Sequence, residues 1–306
     1  MTAPAGGPRD PLVIVGPTAS GKSALAVALA QRLPGAEIIS ADAYAVYRGM
    51  DIGTAKPPPA ERGGVPHHLI DVADPSETWT VARFQAAVAD ILDDLAGRGA
   101  TPIVVGGTGL YVRAVVDRFT LPGQYPQARA AAEAEPSTEA LWHRLDRLDP
   151  VAAAKILPTN RRRLVRALEV TEGSGRPFSS YGPGVDAYPP TPFRQVGLRL
   201  DRAALDERIE ARYQAQMEAG FLDEVARLLA AGPLSDTAAQ ALGYAELAAH
   251  LAGSLTLDQA LEQAIRRTRR FARRQERWFR RDPRLIWFDA GHPQVVGQVE
   301  AWWTGC

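Results

Sequence analysis

Apolar residues come in short runs along the first third of the chain. Pro11-Leu-Val-Ile-Val15 is bounded by Pro and Gly, and residues 23–33 follow with alanines and leucines at helical spacing, so the opening reads as strand, loop, helix. Glu37-Ile-Ile-Ser40 and His68-Leu-Ile-Asp-Val72 predict further short strands. Val81, Phe84, Val88, Ile91, Leu92 and Leu95 recur at helical spacing over 80–97, and Pro102-Ile-Val-Val-Gly106 predicts a strand leading into a helix over 108–116. Strands alternating with helices imply a mostly parallel sheet with helices on both faces. From 119 to 190 the alternation stops. Turn residues there separate short helical stretches at 128–134, 137–148, 150–156 and 160–172. A strand resumes at 193–200, followed by helices at 202–219, 221–231, 238–252 and 257–281, a strand at 285–288 and a short helix ending near Trp302. The expected organisation is a disordered tail (1–10), an α/β core (11–118 and 191–306) and a helical insertion domain (119–190).

Composition narrows this only slightly. With 306 residues, 46% hydrophobic and 23% charged, the chain suits a soluble globular protein with a substantial core. The single cysteine, Cys306, excludes an intramolecular disulfide, and a reducing cytoplasm fits. No signal-like apolar stretch opens the chain and no run approaches the roughly twenty residues that span a bilayer, so no membrane partner is expected. Net charge is zero, which argues neither for nor against a nucleic acid. The distribution says more: only Lys22, Lys56 and Lys155 are lysines, and two of them lie within motifs.

Gly16-Pro-Thr-Ala-Ser-Gly-Lys-Ser23 matches G-x-x-x-x-G-K-[ST] between a predicted strand and a predicted helix, the context a phosphate-binding P-loop requires. A P-loop NTPase-like α/β fold is therefore expected. Gly16, Thr18, Ala19, Ser20 and Gly21 would form a nest of N–H donors, Lys22 would supply charge, and the Ser23 hydroxyl is the candidate ligand of Mg2+. A P-loop alone serves kinases, motor ATPases or any enzyme whose substrate carries a diphosphate. Asp42 follows the second strand at its carboxyl end, where ligands of open α/β sheets bind. It could hold Mg2+ through water, accept a proton, or cap the turn before Tyr44.

Several longer stretches then become specific. The P-loop, Tyr47-Arg-Gly-Met-Asp-Ile-Gly-Thr-Ala-Lys56 following Asp42, Pro66-His-His-Leu-Ile-Asp71, Gly106-Gly-Thr-Gly-Leu-Tyr111, Arg163-x-x-Arg-Ala-Leu-Glu-Val170, Leu242-Gly-Tyr-x-Glu246 and Thr268-Arg-Arg-Phe-Ala-Arg-Arg-Gln275 together resemble the tRNA dimethylallyltransferase family, in family order, from Pro11 to Trp287. The resemblance implies transfer of a dimethylallyl group from dimethylallyl diphosphate to N6 of the adenine 3′ of the anticodon. It implies Asp42 as general base and Thr108 beside it. Arg212, eight residues before Gly220-Phe221, is implied at the donor diphosphate; pairing with Glu207 or Glu210 is the alternative. Thr54 and Lys56 are assigned to the site wall, and His67 and His68 to structural hydrogen bonds. Two positions depart from the pattern. Ala43 and Ala45 stand where many members carry Ser and Gln, which changes contacts to the acceptor base. A P-loop small-molecule kinase using ATP and an isopentenyltransferase of free adenylates remain the competing readings.

Residues 266–281 hold nine arginines interleaved with Phe271, Trp278 and Phe279, a content suited to phosphate contacts unless acidic neighbours neutralise it. The family resemblance places the anticodon stem-loop of tRNA against the insertion through Arg129, Asn160, Arg161, Arg162, Arg163 and Arg166. Asp42, Ala43, Tyr44, Ala45 and Thr108 are expected near the acceptor base, Arg270 and Arg274 near the backbone, and the protein is expected to act as a monomer.

Overall fold

The computed structural model describes residues 10–305; the expected tail, apart from Asp10, and Cys306 lie outside the described residues. Six strands form one parallel sheet in the order β3-β2-β4-β1-β5-β6. They are β1 (Leu12–Val15), β2 (Ala36–Ser40), β3 (His67–His68), β4 (Thr101–Gly106), β5 (Arg194–Arg199) and β6 (Ile286–Asp289). β1 lies between β4 and β5, and all four of its residues are buried, which explains a continuous apolar run in place of alternation.

Its side chains feed two cores. Val13 and Val15 join Ile39, Val104, Phe84 and Phe221 on one face, while Leu12 and Ile14 join Ile38, Ile103, Leu25 and Leu29 on the other. Each such aliphatic side chain contributes about 1.5–3 kcal/mol when removed from water. The first face is covered by α2 (Val81–Arg98), α3 (Gly109–Val116), α8 (Arg202–Glu218), α9 (Phe221–Ala231), α10 (Tyr244–Leu251) and α11 (Leu257–Phe279); α1 (Lys22–Arg32) and α12 (Val295–Thr304) cover the second. Local signals set their ends. The Thr80 hydroxyl accepts from Arg83 N at the start of α2, and Gly99, with φ 65°, terminates it.

Two sequence expectations are corrected. The strand over 68–72 is only the two-residue β3, because Leu69 and Asp71 adopt positive φ (61° and 58°), incompatible with continued pairing. The helix over 238–252 begins at Tyr244: residues 238–240 form a single 3-10 turn, and Gly243 turns the chain at φ 88° before α10 starts.

The chain divides into two compact units, Met1–Val116 with Pro190–Cys306, and Asp117–Pro189. The second is all helical: α4 (Pro126–Glu133), α5 (Thr138–Leu148), α6 (Pro150–Lys155) and α7 (Arg161–Ser174) pack around Leu141, Leu145, Ile156, Leu164 and Leu168. Ser137, Asp149 and Asn160 cap α5, α6 and α7 through their side chains.

Candidate active site

The loops after β1, β2 and β4 meet at the carboxyl edge of the sheet around a cavity of about 310 Å³. Thr18, Ala19, Gly21, Lys22, Ser23, Asp42, Thr54, Lys56 and Arg212 are among its lining residues. The loop geometry follows from its glycines. Gly16 has φ 151° and a Cβ there would stand 2.6 Å from the Leu198 carbonyl oxygen, while Gly21 takes φ 90° and leads directly into α1. α1 has no side-chain cap and no acidic residue in its first turn, so its leading N–H groups are available to an anion.

The cations around this loop are held by burial and by one another. Lys22 Nζ donates to the Pro17 carbonyl at 2.7 Å. Burial draws its pKa from 10.5 down to about 8; the Asp42 carboxylate opposes that shift and the Arg212 guanidinium adds to it. Arg212 reaches the loop from α8, donating to Thr18 Oγ1 at 2.8 Å, and burial lowers its pKa against the pull of Tyr213 and Asp42 while leaving it charged. Of the alternative partners, Glu210 instead accepts from Arg269. Two buried polar atoms here have no partner among the described residues, Ser20 Oγ and Arg212 Nε. Buried polar atoms are seldom left unpaired; of these two residues Arg212 lines the cavity, so its guanidinium is the one placed to meet a polar guest.

Asp42 Oδ1 accepts from Tyr44 N at 2.8 Å and Ala45 N at 3.2 Å. The carboxylate therefore does organise a turn, yet Oδ2 takes no hydrogen bond among the described residues. Thr108, at the start of α3, is tied to the same turn: its Oγ1 accepts from Ala43 N at 3.2 Å. Tyr44 is fixed by its hydroxyl, which donates to the Gln240 carbonyl, and burial first, then Asp42, raises its pKa.

Sequence reading missed two residues that hold this site. Gln275 of α11 accepts from Thr18 N and donates to the Gly107 carbonyl, bridging two of the loops. Glu224 of α9, 1% exposed, accepts from Asp51 N, Ile52 N and Gly53 N and from the Tyr244 hydroxyl, suspending the loop that carries Thr54. A glutamate in Phe221-Leu-Asp-Glu-Val reads as a surface helix residue; only its place on the buried stripe of an amphipathic helix could have signalled otherwise. Lys56 does reach the cavity wall, but its ammonium donates to Asp51, Asp71 and the Tyr47 carbonyl. His68 is paired with Glu37, which also holds Arg98, and His67 meets the Val65 carbonyl.

A family described as IPP transferase matches residues 45–282, and one described as isopentenyl transferase matches 11–71. The chain belongs to the IPP transferase family. It is 51% identical over 300 residues to the tRNA dimethylallyltransferase of Thermobifida fusca, covering 95% of this chain and 93% of that one. It is 53% identical to that of Kineococcus radiotolerans over 93% and 92% of the two chains. The solved tRNA isopentenylpyrophosphate transferase of Bacillus halodurans superposes with a TM-score of 0.72 at 40% identity, covering 97% and 96%. A eukaryotic dimethylallyltransferase solved acting on tRNA superposes at 0.78 and 26% identity, covering 96% of this chain and 78% of that one. Family membership accounts for the P-loop sheet.

The arginines fall into two groups. On α11, Arg266 pairs with Glu262, Arg267 with Glu246, Arg269 with Glu210 and Arg280 with Glu276. Arg270, Arg274 and Arg277 are exposed at i, i+4 and i+7 without an ion pair among the described residues, so acidic neighbours neutralise only part of the helix. Trp278 packs where a Cβ of Gly109 would be, setting this end of α11 against the start of α3. Within the helical unit, Arg161 donates to the carbonyls of Glu133, Glu135 and Pro136, and Arg166 to Glu169, Pro122 and Gly123. Arg129 pairs with Glu133 and Asn160 caps α7, whereas Arg162 and Arg163 extend into solvent.

Proposed function

We propose that the chain transfers the dimethylallyl group of dimethylallyl diphosphate to N6 of the adenine immediately 3′ of the anticodon, releasing diphosphate. The observation that carries this reading is one cavity presenting an anion cradle (Lys22, Arg212 and the free N–H groups of α1) and a carboxylate (Asp42) together. The chemistry needs both. Negative charge grows on the departing diphosphate, where fixed donors and Lys22 stabilise it without reorganising at the moment of reaction. The attacking amine must lose a proton as the C–N bond forms, and Asp42 is the carboxylate in place to accept it, a contribution of about 10²–10⁴ in rate. Its Oδ1 is committed to the Tyr44 and Ala45 amides, which fixes the carboxylate's direction and leaves Oδ2 as the base. Thr108 holds the Asp42 turn through Ala43 N.

Mg2+ fits beside the cradle, since the Ser23 hydroxyl lines the cavity and could hold the ion, which commonly keeps waters and substrate phosphates as its other ligands. Bound there, it would neutralise charge on the diphosphate.

RNA reaches the acceptor side through unpaired cations. Arg270, Arg274 and Arg277 on α11 and Arg162 and Arg163 on α7 are exposed guanidiniums without an ion pair among the described residues and are open to phosphates, while Arg161, Arg166 and Asn160 shape the helical unit and Arg129, paired with Glu133 and Glu169, exchanges the exposed partner for RNA. An adenine stacked in a loop turns outward for a few kcal/mol. Ala43 and Ala45 make that surface plainer than Ser and Gln would. We place the activity in the cytoplasm and in a monomer; no helix among the described residues is long and apolar enough to cross a membrane.

A labelled-donor comparison tests the reading. Incubated with anticodon stem-loop RNA, the protein should move label from dimethylallyl diphosphate into RNA and none from γ-labelled ATP. Phosphoryl transfer from ATP, or prenylation of free AMP in preference to RNA, would overturn it.

A further inference from the structure

We propose that Gln275 is a positioning residue which locks the phosphate loop to the acceptor-side turn, so that RNA held by α11 and diphosphate held by the loop bind interdependently; this deepens the prenyl-transfer reading and rests on it. Gln275 is 7% exposed, and both ends of its amide are used. Oε1 accepts from Thr18 N at 2.8 Å and Nε2 donates to the Gly107 carbonyl at 2.9 Å. The orientation is forced, because Thr18 offers an N–H and Gly107 a carbonyl, and a flipped amide would oppose like groups at both ends. The same packing explains the glycine: a Cβ at Gly107 would collide with this amide nitrogen.

The partners lie 257 and 168 residues away in sequence, one on each side of the reaction. Thr18 is held from the opposite direction by Arg212, so its backbone N and its hydroxyl are both committed and the cradle's width is set by two distant helices. Gly107 leads into Thr108, whose hydroxyl receives Ala43 N beside Asp42. On the outside of the same helix turns, Arg270, Arg274 and Arg277 are exposed and unpaired with any acid among the described residues. A phosphate backbone drawn onto those arginines therefore firms the helix whose inward residue fixes both loops. Two ligands that each favour one arrangement of a shared element must enhance each other's affinity equally.

The test is calorimetric titration of the intact protein with inorganic diphosphate and Mg2+, with and without saturating anticodon stem-loop RNA, for wild type, Gln275→Met and Gln275→Glu. Wild type should bind diphosphate at least about five-fold tighter with RNA present, with the reciprocal effect on RNA. Gln275→Met removes both hydrogen bonds at similar volume, and the ratio should fall to near one while RNA affinity without diphosphate is unchanged. Gln275→Glu keeps an acceptor for Thr18 N but sets a carboxylate against the Gly107 carbonyl; it should also lose the coupling, and hold diphosphate in the free protein more weakly than Gln275→Met because its charge repels the anion. If the Met variant does not fold, the Glu variant carries the comparison. A wild-type ratio of one, or an unchanged ratio in the folded variants, overturns the proposal. Prenylation of RNA by wild type, assayed in parallel, separates the two claims: prenylation without coupling overturns this inference alone, and no prenylation overturns the functional reading with it.

Discussion

At Asp42 the turn uses one carboxylate oxygen and the proposed chemistry would use the other, and this makes the residue testable without unfolding the loop. Asp42→Asn keeps an Oδ1 acceptor for Tyr44 N and Ala45 N but has no basic oxygen. Turnover should fall by about 10²–10⁴ with RNA affinity preserved, measured by single-turnover prenylation beside a filter-binding assay. Lys22 gives a pH signature. Its pKa of about 8 in the free protein means that its charge is lost as pH rises through 8, so diphosphate affinity should decline above that pH, and Lys22→Arg should flatten the decline. The sign for stability is opposite: with the folded pKa below the ordinary 10.5, the unfolded chain holds more protons between about 8 and 10.5, and this group makes the fold more stable as pH rises across that window. Lys22 and Ser23 were legible in sequence because the spacing of a phosphate loop is local, and Asp42 because it follows the second strand at its carboxyl end. The partners of Lys56, Arg161 and Arg166 were only partly legible: Asp51, Tyr47 and Glu169 lie within the same motifs, but Asp71 and the carbonyls of Glu133, Glu135, Pro136, Pro122 and Gly123 are brought in only by folding.

Elements position the site through a few buried polar anchors. Glu224 on α9 satisfies three consecutive backbone amides and the Tyr244 hydroxyl, so Glu224→Ala would leave one buried and three part-buried donors unpaired, the buried one at about 1–3 kcal/mol and the others at less. We expect a loss of roughly 3–5 kcal/mol in urea unfolding, with Glu224→Gln recovering part of it. Gly53, under Phe221 and Tyr244, admits no Cβ, so Gly53→Ala should destabilise the same loop. On α11, removing Arg270, Arg274 and Arg277 together should weaken RNA binding and lower the salt slope by about 0.7 for each phosphate no longer neutralised, seen in binding titrations over increasing salt. Most elements were readable from periodicity, as with β1 and β4, whose unbroken apolar runs match strands buried on both faces. β3 was not. Leu69 and Ile70 look like strand residues, but Leu69 and Asp71 take left-handed backbone and end the pairing after His68, a tertiary demand that composition does not disclose.

At the scale of the whole molecule, a P-loop sheet forms the core of one unit and an all-helical unit is inserted after α3. The relatives cover the chain almost completely, and the solved structures share its fold across both units' sequence. The fold alone would serve a kinase equally well; the tRNA dimethylallyltransferases that are about half identical over nearly the whole chain distinguish the two. The most direct measurement is mass spectrometry of nucleosides released from an anticodon stem-loop RNA after incubation with the protein, dimethylallyl diphosphate and Mg2+. N6-isopentenyladenosine is expected at the position 3′ of the anticodon, absent with Asp42→Asn on the same time scale. Unmodified adenosine with the wild-type protein, or equal product from the Asn variant, would contradict it.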